Sequence, residues 1–204
     1  MPRPPASPAA VPSAKARTTR AALVQSAGEL FVDEGYGAVS VRDVARDTGL
    51  TSGAIYGHFR NKADLLVAAL SDRISSDLES PSHGHGGLSD YLARQWRAYR
   101  ARRGMRALAV EAAHAAHVDD EARRRLGEMQ EAKLREWSAI YRSVQEEQGI
   151  DPDVDMEALL ILLWSAELGL GILEAWDVEL PKPATWARLI KRVLESLESH
   201  PAER

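Results

Sequence analysis

The sequence predicts an all-α protein with an N-terminal three-helix head, which contains a helix-turn-helix, and a larger C-terminal helical region. Apolar residues recur at helical spacing along most of the 204 residues. Capping residues precede several of these segments, and glycines follow the early ones. Ala45, Gly49 and Ile55 also stand at the spacing of a helix-turn-helix. These observations together favour a chain built from helices.

Composition limits the kinds of site that the chain can hold. Hydrophobic residues make up 45% of the sequence, enough for a sizeable core. The chain has no cysteine, which excludes disulfides, thiolate metal sites and cysteine nucleophiles. The apolar run at residues 158–166 lies between Glu157 and Glu167 and is expected to be too short to span a bilayer.

The N-terminal residues are predicted to form a disordered arm over residues 1–16. They lack the apolar core of a secretory signal. Prolines that oppose an early helix stand at Pro2, Pro4, Pro5, Pro8 and Pro12.

Charge is unevenly distributed. The whole chain has a net charge of −4, but residues 1–62 carry eight basic and five acidic side chains. This part is therefore +3 and the remainder −7. A basic head on an acidic protein can bind nucleic acid because phosphates respond to the local field. On charge alone, an unevenly charged solvated surface explains the pattern equally well.

The first helix of the head is expected to begin at Thr18 or Thr19 and to end at Gly35. Ser40 caps the second helix, and Asp43 completes a capping-box pattern. The apolar faces of these two helices are Leu23, Ala27, Leu30, Phe31, Val41, Val44 and Ala45.

Two further helices follow Gly49. Thr51 or Ser52 is expected to cap the third helix, which runs to about His58. Asn61 caps the fourth, with Asp64 in its first turn. The fourth helix has an apolar face of Leu65, Leu66, Ala69, Leu70 and Ile74.

The helix-turn-helix prediction rests on three physical requirements. The first helix needs a small residue at the crossing point, the turn needs a residue that tolerates positive φ, and the second helix needs a buried aliphatic. Ala45, Gly49 and Ile55 meet these requirements in order. Spacing alone leaves open a plain helical hairpin in a core. The outer face offers hydrogen-bonding groups without negative charge, as phosphate contact requires: Thr51, Ser52, Tyr56 and His58.

A longer stretch of sequence favours the helix-turn-helix over the plain helical hairpin. Residues 30–66, LFVDEGYGAVSVRDVARDTGLTSGAIYGHFRNKADLL, resemble the DNA-binding head of the TetR family of bacterial repressors. The shared features are the EGY turn, the SVRDVA helix start, the IYGHF segment and the NKADLL entry to the fourth helix. The resemblance covers about residues 18–70.

The resemblance implies roles for individual residues. Ser40 and Thr51 would cap helices and touch phosphates, and Arg42 would reach a base edge. Gly57 departs from many relatives, which often carry a larger, base-reading side chain at this position, and Gly53 likewise has no side chain that can reach a base. Base reading then falls on Arg42, Thr51 and Ser52, with shape readout as a supplement. The implied DNA-binding set is Ser40, Arg42, Thr51, Ser52, Tyr56, His58 and Lys62, with added arm contacts from Lys15, Arg17 and Arg20 and with Phe59 in the core.

The predicted domain order is an arm at 1–16, a DNA-binding domain at 17–62, a connecting helix at 63–80, and a ligand-binding and dimerisation domain at 81–204. The Gly-rich segment SPSHGHGG at residues 80–87 marks the main boundary. Helices are expected from Asp90 through Tyr99, from Met105 to about His117, from Asp119 to near Gly149, from Asp155 to about Leu173 and from Thr185 to about Leu197.

The fourth of these C-terminal helices is apolar almost all round, so it needs partners on more than one side. Ala158, Ser165 and Gly169 form a small-residue face that allows close approach of another helix. This pattern fits the family's homodimer, in which the last two helices of each copy form a four-helix bundle. A core within a single chain is the alternative.

A largely apolar effector pocket is expected in the C-terminal region. Candidate lining residues are Trp96, Tyr99, Met105, His114, Met129, Trp137, Tyr141, Trp164 and Glu167. No metal or cofactor is expected. Glu111, His114 and His117 diverge around their helix, and His83 and His85 lie in a Gly-rich loop without recognised ligand spacing.

The resemblance implies a cytoplasmic, ligand-responsive repressor that binds a palindromic operator as a dimer and is released by a small, largely apolar effector. No phosphate loop, nucleophile elbow or pair of catalytic carboxylates is recognisable, so no enzymatic activity is expected. The alternative is a helical small-molecule-binding protein or an enzyme with an incidental helix-turn-helix.

Overall fold

The computed structural model describes residues 13–77, 87–148 and 150–196, and these residues form nine α-helices and no β-strand. We call α1–α3 the head and α5–α9 the body, with α4 as the connecting helix. The helices are α1 (Ala14–Glu34), α2 (Val41–Asp47), α3 (Ser52–Tyr56), α4 (Lys62–Asp77), α5 (Leu88–Arg97), α6 (Arg103–Val118), α7 (Asp120–Gln148), α8 (Met156–Ala175) and α9 (Pro183–Glu195).

The start of α1 differs from the sequence prediction. The helix begins at Ala14, because the Ser13 hydroxyl accepts a hydrogen bond from the Ala16 N–H at 3.2 Å. Thr18 lies inside the helix, where its hydroxyl donates to the Ala14 carbonyl. Residues 14–16 therefore belong to a helix and not to the predicted arm. The rest of that arm, residues 1–12, lies outside the described residues.

Several other boundaries move by a few residues. α3 ends at Tyr56, two residues before the predicted end, and α5 begins at Leu88 instead of Asp90. Tyr99 lies in a short 3-10 turn after α5. α8 continues to Ala175, and α9 begins at Pro183, where proline suits the first helical turn. The predicted break at residues 80–87 lies almost wholly outside the described residues, as do His83 and His85.

Head and body share one apolar core. Leu23, Phe31, Ile55 and Leu66 from the head and α4 are fully buried in it. The same cluster includes residues of α6 and α7: Leu108, Ala112, Ala115, Ala122 and Leu126. The connecting helix α4 packs against α1 of the head and against α6 and α7 of the body. The head is therefore anchored to the body by burial as well as by chain connection.

The body has two further apolar clusters. One contains Trp137 and Tyr141 of α7 with Leu160 of α8. The other contains Trp96, Tyr99 and Leu170, with Trp186 packed against them. α5 lies along α9, and α6 and α7 both pack on α8.

A buried charge cluster joins α6 and the preceding turn to α8. Arg106 donates to both carboxylate oxygens of Glu174, at 2.9 and 2.7 Å, and to Glu167 at 3.2 Å. Arg102 pairs with the other oxygen of Glu167. Both arginines are at most 2% exposed. Burial acts to lower the pKa of Arg106, but its hydrogen bonds to Glu174 and the negative charges of both glutamates raise the pKa overall. This charge-neutral set was not predicted from the sequence.

The length of α8 corrects the expectation that its apolar run is too short for a membrane. The helix has 20 residues with a mean hydropathy of 1.8, so by length and composition alone it could cross one. Only 22% of this stretch is buried in the chain. Its inner face carries Glu167 and Glu174, which pair with the buried arginines. Large apolar side chains are exposed on α8 and on the segments that follow it: Ile161, Leu162, Leu168, Ile172, Trp176, Val178, Leu189 and Val193.

Candidate nucleic-acid interface and a body cavity

Local hydrogen bonds fix the second helix as the sequence predicts. The Ser40 hydroxyl accepts from the Asp43 N–H at 3.3 Å, and the Asp43 carboxylate accepts from the Ser40 N–H at 2.9 Å. The Ser40 hydroxyl also donates to the Asp43 carboxylate at 2.5 Å. This bond and the bond from the Ser40 N–H, more than the nearby Arg46 charge, lower the pKa of Asp43. The capping box therefore holds the start of α2 rigidly beside the chain that enters it.

The turn between α2 and α3 requires a glycine. Gly49 has a φ of 68°, a left-handed conformation that a side chain disfavours. The Leu50 N–H then donates back to the Ala45 carbonyl at 2.9 Å, which closes the end of α2. Thr51 caps α3 by accepting from the Ala54 N–H at 3.2 Å. Ile55 is fully buried, so it holds α3 against the head core.

Four of the seven predicted DNA-contact residues line one surface groove. The groove runs between the loop after α1, the start of α2 and the start of α4. Arg42 is exposed, and among the described residues its guanidinium has no ion-pair or hydrogen-bond partner. Tyr56 is 59% exposed although it is a large aromatic side chain. The predicted residues in this groove are Ser40, Arg42, Tyr56 and Lys62.

Lys62 is partly engaged within the chain. Its ammonium donates to the Tyr36 carbonyl at 2.7 Å and lies 4.1 Å from the centroid of the Tyr36 ring. Burial lowers its pKa, while the negative charge of Asp119 opposes that change. Because an ammonium has three N–H donors, this bond leaves capacity for a phosphate oxygen.

The other three predicted contacts, Thr51, Ser52 and His58, do not line this groove. Thr51 and Ser52 open α3, with Thr51 exposed and Ser52 half-buried. His58 is half-buried in the turn after α3. At Gly57, which departs from the family pattern, an added Cβ would lie 3.3 Å from the Ala54 carbonyl oxygen. A larger residue there would need a small local shift.

Two further arginines, Arg60 and Arg20, lie near the predicted contacts without being among the seven. Arg60 lines the groove and is only loosely paired, with its Nε 3.9 Å from an Asp64 oxygen. The Arg20 guanidinium, an expected arm contact, lies over the Phe59 ring, 5.0 Å from its centroid. Arg60 had a signal in the sequence, because it is a basic residue two positions before Lys62. The fold adds the information that the Arg60 and Lys62 side chains reach one groove.

Described residues of the body and of α4 enclose a small apolar cavity with a volume of about 60 Å³. Of the nine predicted pocket residues, Met105, Trp164 and Glu167 line it. The other lining residues, contributed by α4, α6, α7 and α8, are Leu70, Ile74, Ala109, Gln130, Lys133 and Leu168.

The other six predicted pocket residues lie elsewhere. Trp96 and Tyr99 pack in one body cluster, and Trp137 and Tyr141 in the other. Met129 packs against the core that head and body share, and His114 is exposed on α6. Aromatic content alone could not separate these core residues from pocket residues, because both kinds are apolar.

Similarity to known proteins was found at two levels. Residues 23–69 match the family model of the bacterial regulatory proteins of the tetR family. The transcriptional regulator TtgW of Pseudomonas putida, an HTH-type protein, is 38% identical over 61 residues, which are 30% of this chain and 46% of that protein. The chain therefore aligns with less than half the length of this relative.

Two solved structures are similar over most of the chain. A proposed TetR-family transcriptional regulator from Rhodococcus sp. has a TM-score of 0.73 at 19% identity, covering 88% of this chain and 98% of that one. MexZ of Pseudomonas aeruginosa has a TM-score of 0.61 at 21% identity, covering 91% and 97%. At these identities the structures support the fold of the body, whereas the sequence match lies in the head. The head of this chain is therefore similar to the DNA-binding head of the tetR family of bacterial regulatory proteins, and the chain shares the fold of the two solved regulators.

Proposed function

We propose that the chain is a ligand-responsive transcriptional regulator, most simply a repressor, which binds a palindromic DNA operator as a homodimer. The observation that carries this proposal is the groove that gathers Ser40, Arg42, Tyr56 and Lys62. It combines cations with hydroxyl donors beside the helix-turn-helix, as contact with a phosphate backbone requires. The activity is binding and not catalysis, and its place is the bacterial cytoplasm, where the chromosome lies.

The exposed apolar faces of α8 and α9 support a dimer. Leu162 is 64% exposed and Leu189 is 51% exposed. Leaving such large apolar side chains in water costs free energy that a covering partner would recover. Ala158 and Ser165 are exposed on α8 and allow close approach of a second helix. Two copies of α8 and α9 would form a four-helix bundle and bury these faces.

The body cavity supports control by a small molecule. Leu70 and Ile74 of the connecting helix α4 form part of its wall. A ligand that displaces them therefore acts on the helix that begins at Lys62, beside the groove. MexZ, which is similar in fold, is described as a repressor, and this favours release of the operator over activation.

A gel-shift experiment with the DNA upstream of the chain's own gene tests the proposal. We expect the purified protein to bind this DNA in preference to random DNA of equal length, and the double variant Arg42→Ala and Tyr56→Ala to lose that binding. A matched double variant on the body, Arg135→Ala and Arg142→Ala, removes exposed arginines outside the groove and should bind normally. Equal, groove-independent binding to all DNA would favour the alternative of a helical small-molecule-binding protein.

A further inference from the structure

The cavity between α4, α6, α7 and α8 has a mostly apolar wall and three polar side chains. Leu70, Ile74, Met105, Ala109, Trp164 and Leu168 supply the apolar wall. Gln130, Lys133 and Glu167 supply the polar groups. In such a site the few polar groups determine which ligand headgroup is accepted.

The acidic group of the cavity is already satisfied. One Glu167 oxygen accepts from Arg102 and the other accepts from Arg106 at 3.2 Å. Both arginines are almost fully buried, so their charges are held close to this carboxylate. Glu167 therefore has little remaining negative field to attract a cationic ligand.

The basic group of the cavity is differently placed. The Lys133 ammonium pairs with Glu136 at 3.2 Å, but the Glu136 side chain is 57% exposed whereas that of Lys133 is only 19% exposed. An ion pair with such an exposed partner is weak and is easily exchanged. Gln130, one turn away on α7, has no hydrogen-bond partner among the described residues. Two side chains that carry donors with spare capacity therefore line one side of an apolar cavity.

We propose that this cavity takes an apolar monocarboxylate, whose carboxylate binds Lys133 and Gln130 and whose hydrocarbon part packs against Leu70, Met105 and Leu168. This inference rests on the proposed function, since it names the class of effector for the same body site. The charge-assisted bond from Lys133 supplies the specificity, and apolar burial supplies the remaining affinity.

The cavity volume adds a consequence for regulation. A volume of about 60 Å³ is far below the roughly 300 Å³ at which pockets for drug-sized ligands begin. A hydrocarbon chain that enters fully is therefore expected to displace side chains of the wall, and Leu70 and Ile74 of that wall lie on the connecting helix α4. We expect binding of the carboxylate to be coupled in this way to movement of α4.

The test is a calorimetric titration of the full chain, without DNA, with octanoate, octanol and octylamine as matched probes. We expect octanoate to bind at least about tenfold more tightly than the other two, because only it can accept a charge-assisted hydrogen bond from Lys133. Equal or tighter binding of octanol or octylamine, or no binding of octanoate, would overturn the proposal.

Variants locate the headgroup. Lys133→Met should weaken octanoate binding by about tenfold or more, with octanol binding unchanged, and Lys133→Arg should restore most of the octanoate affinity. Lys182→Met removes an exposed lysine that does not line the cavity and should match the parent chain. Unchanged octanoate binding in Lys133→Met would overturn the assignment. Gln130→Leu provides a second variant, with a smaller expected loss.

The titration and the gel shift fail independently. Because the titration contains no DNA, octanoate binding can be present or absent whatever the operator experiment gives. Loss of the gel shift with intact octanoate binding would reject the proposed function alone. A normal gel shift with no octanoate preference would reject the carboxylate site alone.

Discussion

Arg42 and Arg46 lie on the same short helix but differ in their freedom to bind DNA. The Arg46 guanidinium is paired with Asp43, whereas Arg42 lines the groove without an ion-pair partner among the described residues. We expect Arg42→Ala to cost about 1–3 kcal/mol of binding free energy on the operator and to reduce the preference at one base pair. Competition gel shifts with single-base operator variants measure both effects. An equal loss on operator and random DNA would contradict base reading, and Arg135→Ala on the body is the matched control.

Lys62 is expected to contact phosphate and not bases. Lys62→Ala should weaken binding to every DNA sequence alike and lower the slope of log affinity against log salt by about one. Affinity measured over a range of salt concentrations gives this slope. Because Lys62 also donates to the Tyr36 carbonyl, thermal unfolding of the variant must accompany the titration. A salt slope equal to that of the parent chain would remove Lys62 from the interface.

Individual side chains show where sequence reasoning succeeds. The Ser40 capping box, the positive φ of Gly49 and the burial of Ile55 were all predicted, because each depends on a few neighbouring residues. The internal engagement of Lys62 and the pairing of Glu167 were not predicted. Their partners stand 26 residues away in one case and 61 or more in the other.

A polar joint connects the helices of the head to those of the body. The Tyr36 hydroxyl, just after α1, donates to Asp119 at 2.8 Å, and the Tyr36 N–H donates to Glu111 of α6 at 3.0 Å. Asp119 also caps α7 through the N–H groups of Glu121 and Ala122. The sequence predicts one connection between head and body, the helix at residues 63–80. The structure adds this second connection through α6 and the start of α7.

The joint gives a pH-dependent prediction. The bond from the Ala122 N–H, followed by the bond from Tyr36, lowers the pKa of Asp119. The carboxylate therefore adds stability above the ordinary aspartate pKa of about 3.9, and this stability is lost as the pH falls through the lower pKa of the folded chain. We expect Asp119→Asn to lower the free energy of unfolding at neutral pH, and the difference from the parent chain to shrink in acid. Urea unfolding at several pH values measures it, and a difference independent of pH would count against the ionised carboxylate.

Helix starts that depend on neighbouring capping residues could be predicted, whereas features formed by residues distant in sequence could not. Helices with clear caps, such as α2 and α7, begin where the sequence predicts. α1 begins earlier because Ser13 caps it, although Thr18 is an equally good capping residue in isolation. The cavity could not be located from sequence, since four helices distant along the chain contribute to its wall.

For the whole molecule, the first prediction concerns assembly. Leu162 is 64% exposed in the middle of the apolar face of α8. If the proposed dimer forms through this face, Leu162→Glu should convert it to monomers, because the interface would bury an unpaired charge, and operator affinity should fall as a result. Sedimentation velocity measures the assembly. Val118→Glu changes a side chain that is 59% exposed at the end of α6 and should leave the dimer intact. A dimeric Leu162→Glu variant would place the interface elsewhere.

The second prediction concerns how an effector would release the operator. Successive half-sites of a palindromic operator lie about 34–36 Å apart, so the two heads must keep a matching separation. An effector that parts α4 from the cavity wall should change that separation without unfolding either head. A differential affinity of about 1.4 kcal/mol between the two states would weaken operator binding tenfold.

Spin labels can measure this separation directly. The chain has no cysteine, so Ser52→Cys introduces a single labelling site near the start of α3. The distance between labels in the dimer should change when a compound that releases the operator is added, while labels on Ser196→Cys after α9 should not move. An unchanged distance with reduced DNA affinity would point instead to local unfolding of the head.

The shared apolar core also limits how this protein can be recombined with its relatives. Leu108, Ala112 and Ala115 of α6 are almost completely buried against residues of the head and of α4. A chimera cut after residue 62 would pair this head with a foreign α4 and α6 of different shape. We expect such a graft to fold poorly unless α4 and the facing strip of α6 are transferred with it. The smallest segment that can be exchanged between relatives is therefore larger than the DNA-recognition motif.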